Sequence, residues 1–435
     1  MPAITIDRLA FGGAGFGRID GKACFVPYTA PGDEAEISIT KNKSSYSDGI
    51  LEKIISPAGC RVQPVCPVFG SCGGCNWQHI AYEEQCLQKE QIFADILWRA
   101  ARLEATKIAP LLRADSPFAY RQRIQLKVNY VAGRLSVGFH RSGSHSVVDI
   151  PDCCPIAMPA LNAAIAEVRN LILCTDEPGH VSQVDLIASP AGQVAAIFHY
   201  SGNDRERFAC RLAEDGRNQA SLHGLSLKSG RKSSLQHISG PEMMFYRLPS
   251  CKGDDLEIHY SPDGFSQVNL SGNRAIVAAL IDFCATVKPE SILDLFCGNG
   301  NFSLPLARNA GKVTGLESYE KSVLLGGFNA RHNGIDNVHY SCKDSAAGLE
   351  QLADAGEYFD LVVIDPPRSG AADVSRKLYR SKASHVIYIS CDPPTLARDI
   401  NILQESGYRV LHVQPVDMFP QTYHLESITF LQSLN

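Results

Sequence analysis

The sequence predicts an α/β protein in three parts: an N-terminal OB-like β-barrel, a central α+β unit and a C-terminal Rossmann-like domain over 257–435. Three observations predict it. From about Asp263 the chain alternates apolar, β-branched runs with helical stretches, the pattern of βαβ units around a parallel sheet. Residues 1–56 carry only short β-branched and aromatic runs broken by Gly, Pro and Asp, at the spacing of a small barrel. Between these parts, after a cysteine-rich loop, strand-like runs outnumber helical ones.

Within the first part, Asp20–Gly21 and Pro31–Asp33 are turn signals, because glycine reaches positive φ without a steric penalty. The run "DGKACFVPYTAPGDEAEI" and the charged strand after it resemble the TRAM domain, an OB-like barrel associated with RNA modification. The alternative expectation is a barrel that only packs on its neighbour.

Residues 57–84 hold Cys66, Cys72 and Cys75, spaced C-x5-C-x2-C among prolines and glycines that form tight turns. Three thiolates in one loop repel unless a cation holds them, so a metal is expected. The distant "DCCP" of Cys153 and Cys154 is the expected source of a fourth ligand. Zinc and an iron–sulfur cluster both satisfy four thiolates, and spacing does not choose between them. No C-x3-C-x2-C occurs, so radical chemistry is not expected.

Residues 85–256 read as the central α+β unit. "YEEQCLQKEQIFADILWRAAR" has helical periodicity, and one further helix is expected around "MPALNAAIAEVRNLIL". "RIQLKVNY", "RLSVGFH" and "VAAIFHY" are strands of an antiparallel platform, either facing RNA or serving only as scaffold.

In 257–435, "SILDLFCGNGNFSLPLA" gives a buried strand, a glycine turn at Gly298 and Gly300, and a helix; Ser303 in place of a third glycine counts against a dehydrogenase. "KVTGLES" ends on Glu317, where an acid accepts hydrogen bonds from ribose hydroxyls, and the next strand ends near Asp344, placed to meet an adenine amine. "FDLVVIDPPRSG" and "HVIYISC" are the fourth and fifth strands, and "YRVLHVQPVDM" with "ESITFLQ" form a terminal hairpin. Seven strands ending in a hairpin suit an S-adenosylmethionine methyltransferase.

Composition narrows the class. Fifteen cysteines, an odd number, fit a fully paired disulfide framework poorly, so the clustered ones are expected in metal binding or catalysis. No stretch of eighteen apolar residues and no charged-then-apolar leader occurs, so neither a membrane span nor a secretion signal is expected, and the protein reads as cytoplasmic. A net charge of −5 does not announce a nucleic-acid binder, although "YRQRIQLKVNY" and "LKSGRKSS" are locally basic. Such stretches serve equally as a solvated strand face and a charged loop.

The chemistry centres on "YISCDPPTLARD", where an apolar run ends on Cys391 and two prolines stop it, at the sheet edge where α/β proteins bind ligands. C5 of uracil is too poor a nucleophile to take a methyl group unaided. A thiolate adding at C6 makes C5 an enolate carbon that attacks the methyl, and a base then removes the C5 proton so that the thiolate leaves. Cys391 suits the first role and Glu426, opening the last strand, the second.

The motifs "FSQVN", "DLFCGNGNFSLPLA", "DPPRSG", "SCDPPTLARD" and "FPQTYHLES" resemble those of the bacterial RNA (uracil-5-)-methyltransferases. The resemblance implies a class I methyltransferase domain, Cys391 as nucleophile and Glu426 as base. It implies that Gln267, Phe296, Asn301, Glu317, Asp344 and Asp365 line the S-adenosyl-L-methionine and uracil site, with Asp365 and Gln267 nearest the chemistry. It further implies a [4Fe–4S] cluster on Cys66, Cys72, Cys75 and Cys154. Barrel plus cluster points to the branch acting on 23S ribosomal RNA, relatives acting on transfer RNA being expected to lack both, and to a monomer that flips its base from a loop or partly unfolded fragment. Two departures stand out. Asp392-Pro393-Pro394 replaces the usual Asn-Pro-Ala, and the extra carboxylate is expected to raise the thiol pKa; Gln421 and Tyr423 replace His and a small residue. The rival readings are methylation of a base amino group, and an iron–sulfur RNA-binding protein without catalysis.

Overall fold

The computed structural model describes residues 1–435 apart from 151–152, 218, 231–234, 252 and 435. The basic stretch "LKSGRKSS" therefore lies partly outside the described residues.

Strands β1 (Ala3–Leu9), β2 (Gly15–Ile19), β3 (Lys22–Val26), β4 (Glu34–Asn42) and β5 (Tyr46–Ser56) close into a barrel in the order β1-β2-β3-β5-β4. Alternate residues Ile4, Ile6, Cys24, Val26, Ala35 and Ile37 fill its interior, as the two-residue strand period requires. The cysteine loop follows, then helix α1 (Tyr82–Ala101).

Next come β6 (Arg123–Val131), β7 (Arg134–His140), β8 (Val147–Asp149), α2 (Pro159–Cys174), β9 (Val181–Ala188), β10 (Val194–Tyr200), α3 (Arg205–Gly216), β11 (Leu222–Lys228) and β12 (Gln236–Ser239). They form one sheet ordered β12-β11-β10-β9-β6-β7-β8. The sequence led us to expect a single helix between these strands and a purely antiparallel sheet; the structure corrects both. Helix α3, capped by Asp204 accepting from the Arg207 N–H, carries the chain from β10 to β11, which therefore pair in parallel. Its buried residues Phe208, Ala209 and Leu212 share one face among charged residues, an amphipathic spacing that the sequence reading passed over.

The remainder comprises the hairpin β13 (Met244–Leu248) and β14 (Leu256–Tyr260), then α4 (Leu270–Val287), β15 (Ser291–Leu295), α5 (Ser303–Ala307), β16 (Lys312–Glu317), α6 (Glu320–His332), β17 (Val338–Cys342), α7 (Ser345–Asp354), β18 (Leu361–Ile364), α8 (Ala372–Lys377), β19 (His385–Ser390), α9 (Pro393–Glu405), β20 (Tyr408–Val416) and β21 (Glu426–Ser433). The sheet order is β17-β16-β15-β18-β19-β21-β20, parallel as far as β19 and antiparallel in the last two strands. Among the described residues α4 is the helix long and apolar enough to cross a bilayer, but it buries Ile276, Val277, Leu280, Ile281 and Cys284 in the protein core.

Two elements that straddle the bounds of 85–256 pack with the C-terminal domain. Helix α1 buries Cys86, Phe93 and Leu97 in the core that holds Leu396, Ile400 and Leu403 of α9. Hairpin residues Tyr246 and Ile258 join the core of α4 and β15. Helix α1 is also pinned by charge: Lys89, 1% exposed in its side chain, lies 2.6 Å from Asp417, which also accepts from the Tyr82 hydroxyl at 3.0 Å. Breaking such a pair leaves a buried charge uncompensated, so Lys89→Met is expected to destabilise the protein by about 3–5 kcal/mol. An unfolding free energy from urea denaturation lowered by less than about 1 kcal/mol would remove this pair from the account of how α1 is held.

Candidate active site

The chemistry collects at the carboxyl ends of the parallel strands. Strands β19 and β21 pair with Ser390 opposite Ser427, and continuing that register by one residue sets Cys391 opposite Glu426. The prolines that end the apolar run begin α9: Pro393 is its first residue and Asp392 its cap, Oδ1 accepting from the Thr395 N–H at 3.0 Å. Cys391 is thus held, half-buried, between a strand end and a helix start.

Burial, then the charge of Glu426, push the Cys391 thiol up to about 11; Arg368 pulls it down and Asp365 pushes it up again. Burial drives the Glu426 carboxyl well above the carboxylate range, with Asp365 adding and Arg368 opposing, and raises Asp365 to about 7. The thiol is therefore surrounded by two carboxyl groups and one guanidinium. Asp392 was expected to be the carboxylate that raises the thiol; instead its side chain is turned into the α9 cap, and Glu426 and Asp365 take that role. Arg368 is the residue of this group that the sequence reading missed, because in "DPPRSG" it stands where base amino-group enzymes carry a stacking aromatic. Removing its charge should raise the thiol pKa. Arg368→Ala is expected to move the pH profile of Cys391 alkylation upward and to slow alkylation at neutral pH; an unmoved profile would remove Arg368 from the electrostatics.

The cofactor side lies at the end of β15. Phe296 adopts a φ of 62°, rare for a side chain with a Cβ, and Gly298 and Gly300 follow at 55° and 95°. A Cβ on Gly300 would lie 2.5 Å from the Tyr340 hydroxyl, so only glycine fits there. Glu317 closes β16 with Oε2 accepting from the Gly298 N–H at 3.2 Å and Oε1 from the Tyr319 N–H at 2.8 Å. Asp344 caps α7, Oδ1 accepting from Ala346 and Ala347 N–H groups, both at 3.0 Å. Asn301 accepts from Asn273 at 2.8 Å and the Tyr246 hydroxyl at 2.9 Å, which ties the turn to α4 and the hairpin. Gln267 is half-buried just before Asn269, whose amide donates to the Met418 carbonyl at 3.1 Å.

Asp294 was missed by the sequence reading. It is fully buried, one oxygen accepts from the Ser303 hydroxyl, and Oδ1 has no partner among the described residues. The available signal was an acid inside the apolar run "SILDLF". A positive-φ turn, an acid at the next strand end and an orphaned buried carboxylate oxygen suit a cofactor with ribose hydroxyls and a cationic amino group, as S-adenosyl-L-methionine has.

Residues 119–434 match the family model described as tRNA (Uracil-5-)-methyltransferase. The chain belongs to this family. Residues 3–51 match the TRAM domain. Relatives include proteins named 23S rRNA (uracil(1939)-C(5))-methyltransferase RlmD from Vibrio parahaemolyticus, 32% identical over 99% of this chain and 95% of that protein, and from Cronobacter sakazakii, 33% identical over the same shares. Among solved structures, the Pyrococcus abyssi tRNA (uracil-54, C5)-methyltransferase in complex with S-adenosyl-L-homocysteine shares the fold, with a TM-score of 0.75 at 24% identity over 98% of this chain and 100% of that one. This uracil-5 methyltransferase family member therefore has the class I methyltransferase fold with an N-terminal barrel. The expectation that relatives acting on transfer RNA lack the barrel is corrected by the same likeness, which extends over the barrel.

In this family member the cysteine loop folds against the central sheet. Cys66, Cys72, Cys75, Cys153 and Cys154 line one pocket with Gln78 and Arg121. Each pair among Cys66, Cys72, Cys75 and Cys154 is close enough for a charge on one sulfur to disfavour a charge on the other. Cys153 is exposed and acts in this way on Cys66, while Cys60 lies apart, donating to the Pro31 carbonyl at 3.5 Å. Backbone N–H groups point at the sulfurs: Gly74 to Cys72, Val68 and Phe69 to Cys66, Ile156 and Ala157 to Cys154. Four converging sulfurs supplied with amide donors are a donor set that fits an iron–sulfur cluster.

The departures Gln421 and Tyr423 join modules. Gln421, buried at a φ of 67°, exchanges two 3.0 Å bonds with Gln85 of α1, and its carbonyl accepts from Asn76 and Trp77 of the cysteine loop. Tyr423 meets Phe11 of the barrel edge to face, centroids 5.6 Å apart.

Proposed function

We propose that this protein transfers a methyl group from S-adenosyl-L-methionine to C5 of a specific uridine in 23S ribosomal RNA, forming 5-methyluridine, and acts as a cytoplasmic monomer. The observation that carries the reading is Cys391 opposite Glu426, with Asp365 and Arg368 completing the surround. The thiol gives its proton to solvent water, the thiolate lone pair bonds to C6, and the C5–C6 π pair moves toward O4. C5 then takes the methyl group, with S-adenosyl-L-homocysteine as leaving group. Glu426, which must be ionised at this step, removes the C5 proton, the pair re-forms C5=C6, and the thiolate departs. Asp365 and Gln267 hold the uracil edge, while Phe296, Asn301, Glu317 and Asp344 form the donor site. The target base reaches the thiol flipped from a loop or partly unfolded fragment.

The relatives named for 23S rRNA, a third identical over nearly the full chain, favour ribosomal over transfer RNA. Incubation with methyl donor and either RNA, followed by nucleoside analysis, tests this: 5-methyluridine is expected in a 23S fragment. Product confined to transfer RNA would overturn the substrate, and a methylated amino group would overturn the chemistry.

In this reading Cys66, Cys72, Cys75 and Cys154 hold a [4Fe–4S] cluster, which would tie the cysteine loop to the central sheet. Protein purified anaerobically is expected to be brown, with about four irons per chain. A colourless preparation with stoichiometric zinc would overturn the cluster and leave the methylation reading intact.

A further inference from the structure

Glu257 and His259 stand two apart on β14, so their side chains share one face, and His332 is the last residue of α6, packed across that strand. The His332 Nε2 lies 3.1 Å and the His259 Nε2 3.8 Å from the same oxygen, Glu257 Oε1, and all three candidate ligand atoms fall within 4.8 Å of one another. The His259 Nε2 is shielded from solvent and has no hydrogen-bond partner among the described residues. An imidazole nitrogen buried beside a carboxylate and a second imidazole, with nothing to bond, is a lone pair in need of an acceptor. We infer that Glu257, His259 and His332 form a site for a divalent transition-metal ion, separate from both the Cys391 site and the cysteine loop.

The frame around these groups is fixed in advance. Asn329 brackets the His259 backbone, its oxygen accepting from the N–H at 2.9 Å and its amide donating to the carbonyl at 3.0 Å. Asn333 does the same for Glu257, at 2.9 and 2.7 Å. Phe328 meets the His259 ring edge to face at 5.2 Å and stacks on His332 at 5.9 Å, walling the site with apolar surface. Arg247 holds the other carboxylate oxygen, Oε2, at 2.8 Å, which orients Oε1 toward the imidazoles; its positive charge also opposes a second cation and limits affinity. Two imidazoles and one carboxylate with a fourth position open to water suit zinc, cobalt or nickel and not magnesium or calcium, which take oxygen shells. The ion would brace the donor site from outside, because the His259 carbonyl accepts from the side chain of Asn299 in the glycine turn, at 3.0 Å.

Titrating the cluster-loaded protein with cobalt(II) tests the site, since cobalt reports its ligands in its spectrum. One equivalent is expected to give ligand-field absorption without the near-ultraviolet band of sulfur-to-cobalt charge transfer. His332→Ala, at a partly exposed helix end, and the volume-conserving Glu257→Gln should each weaken cobalt binding about tenfold or more. Binding that carries the sulfur band, binding that both variants leave unchanged, or no saturable binding would each overturn the site. None of these outcomes bears on the methylation reading, which is tested on RNA.

Discussion

Cys391→Ala should form no covalent complex with RNA carrying 5-fluorouridine at the target position, whereas the unaltered protein should be trapped in stoichiometric amount. Fluorine at C5 cannot leave as a proton does, so the chain halts after methyl transfer with sulfur still on C6. Loss of the nucleophile should lower the turnover rate roughly 10⁴-fold or more, about 5 kcal/mol of transition-state stabilisation. Binding of S-adenosyl-L-homocysteine should be unchanged, because the proposed donor site lies at the ends of β15 and β16 while the thiol follows β19. Full turnover by this variant would end the covalent mechanism and favour direct methylation of an amino group.

Glu426→Gln should do the opposite to the adduct. With ordinary uridine, sulfur adds, the methyl group moves, and the C5 proton then has no base to take it, so methylated RNA accumulates on the protein. A slowing of about 10²–10⁴-fold is expected, the range for loss of a positioned base. A merely structural glutamate would give slower turnover with no trapped RNA. The same substitution carries a stability signature. Burial raises this carboxyl well above its ordinary range, so the folded state holds the proton more tightly than the unfolded chain. The stability contributed by that proton is complete below the unfolded pKa of about 4.3 and is lost as pH rises through the folded value. Glutamine has no proton to lose, so between about pH 5 and 8 the melting temperature of Glu426→Gln should fall less than that of the unaltered protein.

The raised thiol of Cys391 means that the nucleophile is not yet activated in the RNA-free protein. In the RNA-free protein, about 11 means that almost all of the sulfur is protonated, so the nucleophile is protected from stray alkylation and oxidation. Arg368 is the nearby cation that opposes the two carboxyls, and it is exposed.

Local chemistry made much of this readable in the chain. The five short runs of the barrel, the glycine turn after "DLFC", the prolines after Cys391 and the C-x5-C-x2-C loop are written in period, turn residues and side-chain type, which act over a few residues. Helix α3 was missed although Phe208, Ala209 and Leu212 have helical spacing behind the Asp204 cap; that it makes β10 and β11 parallel neighbours is decided by packing.

The sequence by itself determined which groups are available: a thiol at a strand end, a glutamate opening the last strand, four cysteines and an acid closing the second strand of the sheet. Tertiary structure decided which of them meet. The antiparallel register of β19 and β21, fixed by which faces are buried, brings Cys391 across from Glu426, and a one-residue slip would turn one of them away. Folding of the central sheet against the cysteine loop brings Cys153 and Cys154 to the pocket that Cys66, Cys72 and Cys75 line, and burial raises the carboxyls of Asp294 and Asp365 to about 7. Distances between residues remote in the chain, and the loss of water around them, are set by packing, which no local pattern records.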